Sequence, residues 1–233
     1  MQIANQRVDG SFFQNLKTPA EFIFIRHGES EGNFSGIFQG LQEFPLTERG
    51  REQARIRGRQ VRTLPFCSEP RQVGLYASPL GRARETAELI AEFAGFSEPN
   101  IAPILKELDT GIWTGKSWVN AKNDDSELWS HFQSESWAAI PEAESEAGLY
   151  ARAFEAWTFL RDQVHEHALR SVIAVTHGGF LQWLFKVTQG CMSWFPLMPA
   201  HNCGMFCFKV EPYRTHPAYI AWETIDEDLP SSL

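Results

Sequence analysis

The chain is poor in cysteine: 233 residues hold four, Cys67, Cys191, Cys203 and Cys207. So few thiols do not staple a domain of this size, which excludes a disulfide framework. Only Cys203 and Cys207 stand close together, whereas zinc sites usually need pairs of such ligands, so buried reduced thiols are expected and a metal is not. The N-terminal stretch has no basic start followed by an apolar run, so no secretory signal is expected. No stretch approaches the roughly 18 apolar residues of a membrane span. A soluble, cytoplasmic protein with no membrane partner is expected. Positive charge is also scarce, with 21 Lys plus Arg against 29 Asp plus Glu and a formal net charge of −8. A general nucleic-acid binder needs a basic footprint, so no nucleic-acid partner is expected. If an acidic chain handles an anion, its positive charge has to be concentrated in one place.

Repeats are absent, and no Pro-, Gly- or Ser-rich linker divides the chain. The 43% of hydrophobic residues can fill one large core. Residues 1–20 are polar and irregular and read as an arm, leaving 21–233 as a single domain. Residues 21–25 (EFIFI), 72–77 (QVGLYA) and 171–176 (SVIAVT) read as buried strands, with shorter ones expected at 101–105, 203–210 and 218–223. Helices are expected at about 48–63 behind Thr47, at 79–94 behind a Ser78-Pro79 start, at 149–168 and at 180–187. The first of these carries Arg49, Arg51, Arg55, Arg57, Arg59 and Arg62, either a solvated face or a basic patch. Strands alternating with helices predict an α/β domain around a largely parallel sheet.

Two strands stop at histidines, one at Arg26-His27-Gly28 and one at His177-Gly178-Gly179. Ligands of open α/β sheets bind beyond the carboxyl ends of the strands, so two such histidines point to one shared site. Ser78-Pro79-Leu80-Gly81-Arg82-Ala83-Arg84 also follows a strand and opens a helix, whose N–H groups and dipole favour an anion. Arg82 or Arg84 could join Arg26 there, and spacing alone does not choose between them.

The segments RHGESEGN (26–33), QGLQEFPLTERG (39–50), YASPLGRARETA (76–87), LKELDTGIWTG (105–115) and VTHGG (175–179), in that order, resemble the histidine phosphatase superfamily. The resemblance spans about 21–210. It implies an α/β three-layer sandwich with a central, mostly parallel sheet, helices on both faces and a small cap insertion at about 112–150. It implies His27 as nucleophile, Glu107 as proton donor, and Arg26, Arg82 and His177 around the phosphoryl oxygens, with Asn33 on the phosphate side. It favours Arg82 over Arg84. Ser78 and Thr86 match positions read as structural, Ser78 as the helix N-cap.

The implied chemistry is consistent. Phosphoryl transfer needs an in-line nucleophile and positive charge on the equatorial oxygens. Flanking arginines keep an imidazole neutral. Attack gives a phosphohistidine, which divides one hard step into two. No metal or other cofactor is required, and no Walker-type Gly-Lys-Ser/Thr motif is present. The expected function is a metal-independent phosphatase acting on a small-molecule phosphate ester. A phosphoglycerate mutase-type transferase, a phosphohistidine or phosphotyrosine phosphatase of proteins, and a non-catalytic phospho-ligand binder are the alternatives. Residues 123–150 contain no Lys or Arg but hold Asp124, Asp125, Glu127, Glu135, Glu142, Glu144 and Glu146, which disfavours the mutase. Pro141-Glu142-Ala143-Glu144-Ser145 resembles the Pro-x-Gly-Glu-Ser segment of phosphatase branches, with Ala143 in place of Gly. Trp113, Trp118, Trp129 and Trp137 either pack the cap or line a pocket for ring-bearing esters.

Overall fold

Strand β1 (Ala20–Arg26) is apolar from Phe22 to Ile25, and all four side chains are fully buried. A run with no polar alternation belongs in the middle of a sheet that is covered on both faces. That is its place in the computed structural model, which describes residues 6–198, 200–213 and 217–224. The remaining strands are β2 (Val73–Ala77), β3 (Asn100–Ile101), β4 (Ser171–Thr176), β5 (Met205–Glu211) and β6 (Tyr219–Thr224). They form one sheet in the order β3-β2-β4-β1-β5-β6. The first four run parallel, and β5 and β6 are antiparallel additions at one side.

The one-turn helix α1 (Glu31–Phe34) follows β1. The two faces of β1 feed different cores. Ile23 and Ile25, with Leu75, Ile173 and Val175, pack against Val61 of α2 (Glu48–Thr63) and Ala83, Ala87 and Ile90 of α3 (Gly81–Ala94). Phe22 and Phe24 face Trp157 and Leu160 of α6 (Glu146–Glu166) and Leu181 and Leu184 of α7 (Gly178–Gln189). The result is an α/β three-layer sandwich around a mostly parallel sheet. Residues 6–19 form turns only, yet Val8, Phe13 and Leu16 are buried, and Phe13 lies against Phe22, Trp157 and Phe208. This segment has no helix or strand, and its apolar side chains belong to the main core.

Between β3 and α6 the chain makes α4 (Trp118–Asp124) and α5 (Ser126–Glu135). Phe38 reaches in from the first loop, stacking on Trp113 and Trp118 and meeting Phe132 and Trp137 edge-on. Trp113, Trp129 and Trp137 therefore pack this insertion, and Trp118 alone of the four is exposed. Within the acidic stretch 123–150, residues Ser126–Glu135 form the helix α5. The strand expected at 101–105 stops after two residues, because Pro103 has no N–H for a ladder and a short 3₁₀ turn follows. The α2 arginines are largely an ion-paired surface: Arg51 meets Glu85, Arg55 meets Glu48 and Glu52, and Arg59 meets Glu52. Arg57 is buried and donates to the Cys203 carbonyl at 2.8 Å. Among the described residues no helix is long and apolar enough to cross a membrane.

Candidate active site

Strand register sets the site. Arg26 pairs with Thr176, so His27 and His177 leave β1 and β4 side by side, with ring centroids 5.1 Å apart. Ala77 pairs with Val175 on the other flank of β4, which delivers Ser78 to the same edge. The loop after His27 lies backbone to backbone on the start of α2: a Cβ at Gly28 would run into the Gly50 carbonyl, and one at Gly50 into Glu29. Only glycine at both positions permits this approach.

Both histidines are buried, as is Arg82. His27 Nδ1 sits 2.7 Å from the Gly28 carbonyl. A carbonyl oxygen only accepts, so Nδ1 carries the proton and Nε2 of the neutral ring carries the lone pair. Burial, and then the charges of Arg26 and Arg82, hold the His27 imidazole well below its ordinary pKa of 6.5, opposed by the Gly28 hydrogen bond. His177 is lowered well below 6.5 by burial and by Arg82, His27, Arg26 and Arg152.

The guanidiniums are aimed by backbone carbonyls. Arg82 donates to Gln42 (2.8 Å) and Gly40 (2.9 Å), and Arg26 donates to Ala200 (2.7 Å). Burial opposes both positive charges and Glu107 favours them. Three buried polar atoms at this edge have no partner: Arg26 Nε, Arg82 Nε and His177 Nδ1. Buried donors without acceptors are costly, and an anion with several acceptor oxygens satisfies such a set. The arrangement is thus an electropositive pocket with a neutral imidazole, suited to a phosphoryl group.

Glu107 faces this cluster from the loop after β3. Its carboxylate accepts from the backbone N–H groups of Leu108 (2.9 Å), Gly179 (3.1 Å) and Phe180 (2.8 Å), the last two at the start of α7. Asn33 lies one step further out. Its Oδ1 accepts from the Ser30 N–H and from Asn202 Nδ2 at 3.1 Å, and Asn202 also donates to the His27 carbonyl. The expected residues Arg26, His27, Arg82, Glu107 and His177 are brought together, with Asn33 beside them. Arg84 points away and pairs with Glu88 on the exposed face.

Ser78 is a correction. The helix starts at Gly81 with Leu80 in the N-cap position and no side-chain cap. The Ser78 hydroxyl instead lies 2.7 Å from His177 Nε2 and is fully buried. Proline after serine mimics a helix start, so the local pattern hid a contact with a residue far along the chain. Asn202 and the Ala200 carbonyl carry no local signal, since they come from the loop before β5. Among the described residues, no group of three or more His, Cys, Asp or Glu is placed to hold a metal ion. Burial pushes the Cys67 and Cys203 thiols up to about 12, so both are neutral.

A mostly parallel α/β sheet thus gathers, at one edge, paired strand-end histidines, the partly buried Arg26 and the buried Arg82, an arrangement with the charge to hold an anion. Residues 22–223 match the histidine phosphatase superfamily (branch 1), and the chain belongs to that family. It is 34% identical over 172 residues to a metal-independent phosphoserine phosphatase of Arabidopsis thaliana, covering 72% of this chain and 69% of that protein. It is 31% identical over 182 residues to a 2,3-bisphosphoglycerate-dependent phosphoglycerate mutase of Bartonella bacilliformis, covering 73% and 82%. A solved phosphoglycerate mutase from Bacillus anthracis superposes with a TM-score of 0.72 at 20% identity over 89% of this chain and 93% of that one, a likeness of fold.

Proposed function

We propose that the protein is a metal-independent phosphatase that hydrolyses a small-molecule phosphate monoester through a phosphohistidine on His27. The observation that carries this reading is the His27 ring: neutral, protonated at Nδ1 by its bond to Gly28, and flanked by buried donors that lack acceptors. In the first step the Nε2 lone pair attacks phosphorus and the ester P–O bond breaks. The proton of Glu107 passes to the leaving oxygen. In the second step Glu107, now a carboxylate, takes a proton from water. The water oxygen bonds to phosphorus, the P–N bond breaks, and its electron pair returns to Nε2. Arg26, Arg82 and His177 Nδ1 stabilise the charge spread over the transferring oxygens. Ser78 holds His177 by its other nitrogen, so that Nδ1 faces the phosphoryl group. Asn33 steadies the loop through Asn202.

Hydrolysis is favoured over mutase chemistry by the insertion. A mutase has to hold a second anionic group of its substrate. Lys116, one of two lysines between Glu107 and Arg152, is already paired with Asp125. Between Lys122 and Arg152 the insertion has seven carboxylates and no Lys or Arg, a charge balance that disfavours a second anionic group. The test is a panel of phosphate monoesters with acid-quench trapping, run with and without chelator. Trapped phosphohistidine, lost in His27→Ala, and chelator-insensitive turnover are expected. Turnover without a trapped intermediate overturns the mechanism. Rapid bisphosphate-primed interconversion of 3- and 2-phosphoglycerate overturns the hydrolase assignment.

A further inference from the structure

We propose that Arg152 and Glu144 are positioning residues that set Glu107 for proton donation; this rests on the reading of Glu107 as the general acid. Glu107 lies in a segment with no regular secondary structure after the 3₁₀ turn Pro103–Leu105, so its backbone needs another source of order. Arg152, on the second turn of α6, supplies it. One terminal nitrogen donates to the Lys106 carbonyl at 2.7 Å and to the Ile104 carbonyl at 3.2 Å. The other reaches the carbonyl of Glu107 itself at 3.4 Å. The remaining donors make a two-pronged pair with Glu144, Nε to Oε1 at 2.8 Å and Nη2 to Oε2 at 2.7 Å. All five N–H directions of the guanidinium are thereby used, which a lysine ammonium cannot reproduce.

The clamp also closes on the carboxylate end. The Arg152 guanidinium lies 3.9 Å from the centre of the Phe180 ring. The backbone N–H of Phe180 is the 2.8 Å donor to the Glu107 carboxylate. One cation therefore touches the main chain of the acid and the residue that grips its side chain. Glu144 is tied to the same segment, since its N–H donates to the Asp109 carbonyl at 3.0 Å. Pro141-Glu142-Ala143-Glu144-Ser145 is built to deliver it. The left-handed residue there is Glu142 (φ 64°), which explains why alanine is accepted at 143. The tight demand falls across the gap on Gly111, where a Cβ would run into the Pro141 carbonyl.

A misplaced general acid has a signature that general loosening lacks. Departure of a weakly basic oxygen needs little protonation, while a more basic one depends on it. The test measures phosphoenzyme formation in a single turnover with aryl phosphates graded from 4-nitrophenyl to 4-methylphenyl, using the full-length wild type, R152K, E144Q and E107Q. R152K and E144Q are expected to stay within about threefold of wild type on 4-nitrophenyl phosphate and to fall about ten- to a hundredfold on 4-methylphenyl phosphate. E144Q keeps the shape of the clamp and secures the result if R152K folds poorly. A steep dependence in E107Q with wild-type dependence in E144Q and R152K, or an equal loss on all substrates, overturns the clamp alone. An E107Q line no steeper than wild type refutes the acid role and the clamp with it.

Discussion

The two halves of the site are held by different means. The phosphoryl half sits where β1 and β4 end and α3 begins, and its side chains inherit their positions from strand register. Arg26 pairs with Thr176, and His27 and His177 follow. The acid half sits on an irregular segment and inherits its position from side chains, Arg152 and Glu144, and from the first N–H groups of α7. A sheet edge is rigid whatever the substrate. A clamp of polar side chains can be retuned by single substitutions. In the proposed mechanism, the chemistry that every phosphate ester shares falls on the rigid half, and the chemistry that depends on the leaving group falls on the adjustable half.

Two substitutions on the rigid half should have the largest effects. His27→Ala removes the proposed nucleophile, and turnover should fall by about 10⁴-fold or more with the fold retained, checked by steady-state rates and circular dichroism. Residual activity within tenfold of wild type would place the nucleophile elsewhere. In the proposed mechanism Arg82 carries charge to the transferring oxygens, so Arg82→Ala should cost about 10²- to 10³-fold in kcat on every ester alike. A loss that grew with leaving-group basicity would move Arg82 to the other half and break the comparison.

The same division explains what could be read from the sequence. The convergence of Arg26, His27 and His177 was legible because each strand is a short apolar run that stops abruptly at these residues. The fold was legible for a related reason, since β1 and β4 lack polar alternation and are therefore doubly covered. Ser78 was misread because its partner His177 lies 99 residues away and a Ser-Pro pair imitates a cap locally. Arg152 was one charge on an amphipathic helix, with nothing nearby to show that it clasps 104–107. The Trp-rich stretch left packing and ligand binding open, and Phe38, from a distant loop, is the ring on which packing converges.

Smaller effects should separate the halves further. Phe38→Ala removes the centre of the aromatic cluster and should destabilise by about 3–5 kcal/mol, read as a fall in chemical-denaturation midpoint. Inorganic phosphate binding should survive below that midpoint, because the rings that Phe38 meets, Trp113, Trp118, Trp129, Phe132 and Trp137, belong to the insertion and not to the phosphoryl half. Loss of phosphate binding in a folded F38A protein would show that the halves are coupled. Ser78→Ala leaves His177 Nε2 without its partner and should cost about tenfold in kcat, a hydrogen bond's worth, with Ser78→Thr recovering most of it. Equal losses in S78A and S78T would indicate a packing role instead.

The subtlest expected effect is on stability against pH, and its sign follows from the two imidazoles. His27 and His177 are held well below 6.5 in the folded protein, chiefly by burial, while the unfolded chain titrates at the ordinary value. Between the lowered values and 6.5 the unfolded state binds more protons than the folded one, so stability falls as pH drops through this window. Above 6.5 neither histidine contributes a slope. The melting temperature should therefore decline from pH 7 towards pH 5, and His27→Asn and His177→Asn should each make the decline shallower. Saturating inorganic phosphate should raise the whole curve, by about 2.7 kcal/mol at a hundred times its Kd. The acid half gives the control. E144Q should leave the slope that depends on His27 unchanged, because Glu144 faces Arg152, whose charge acts on His177 and not on His27. A slope that persists undiminished in both Asn variants would mean that the buried histidines are not what the protein loses on acidification, and that the rigid half is less desolvated than its geometry requires.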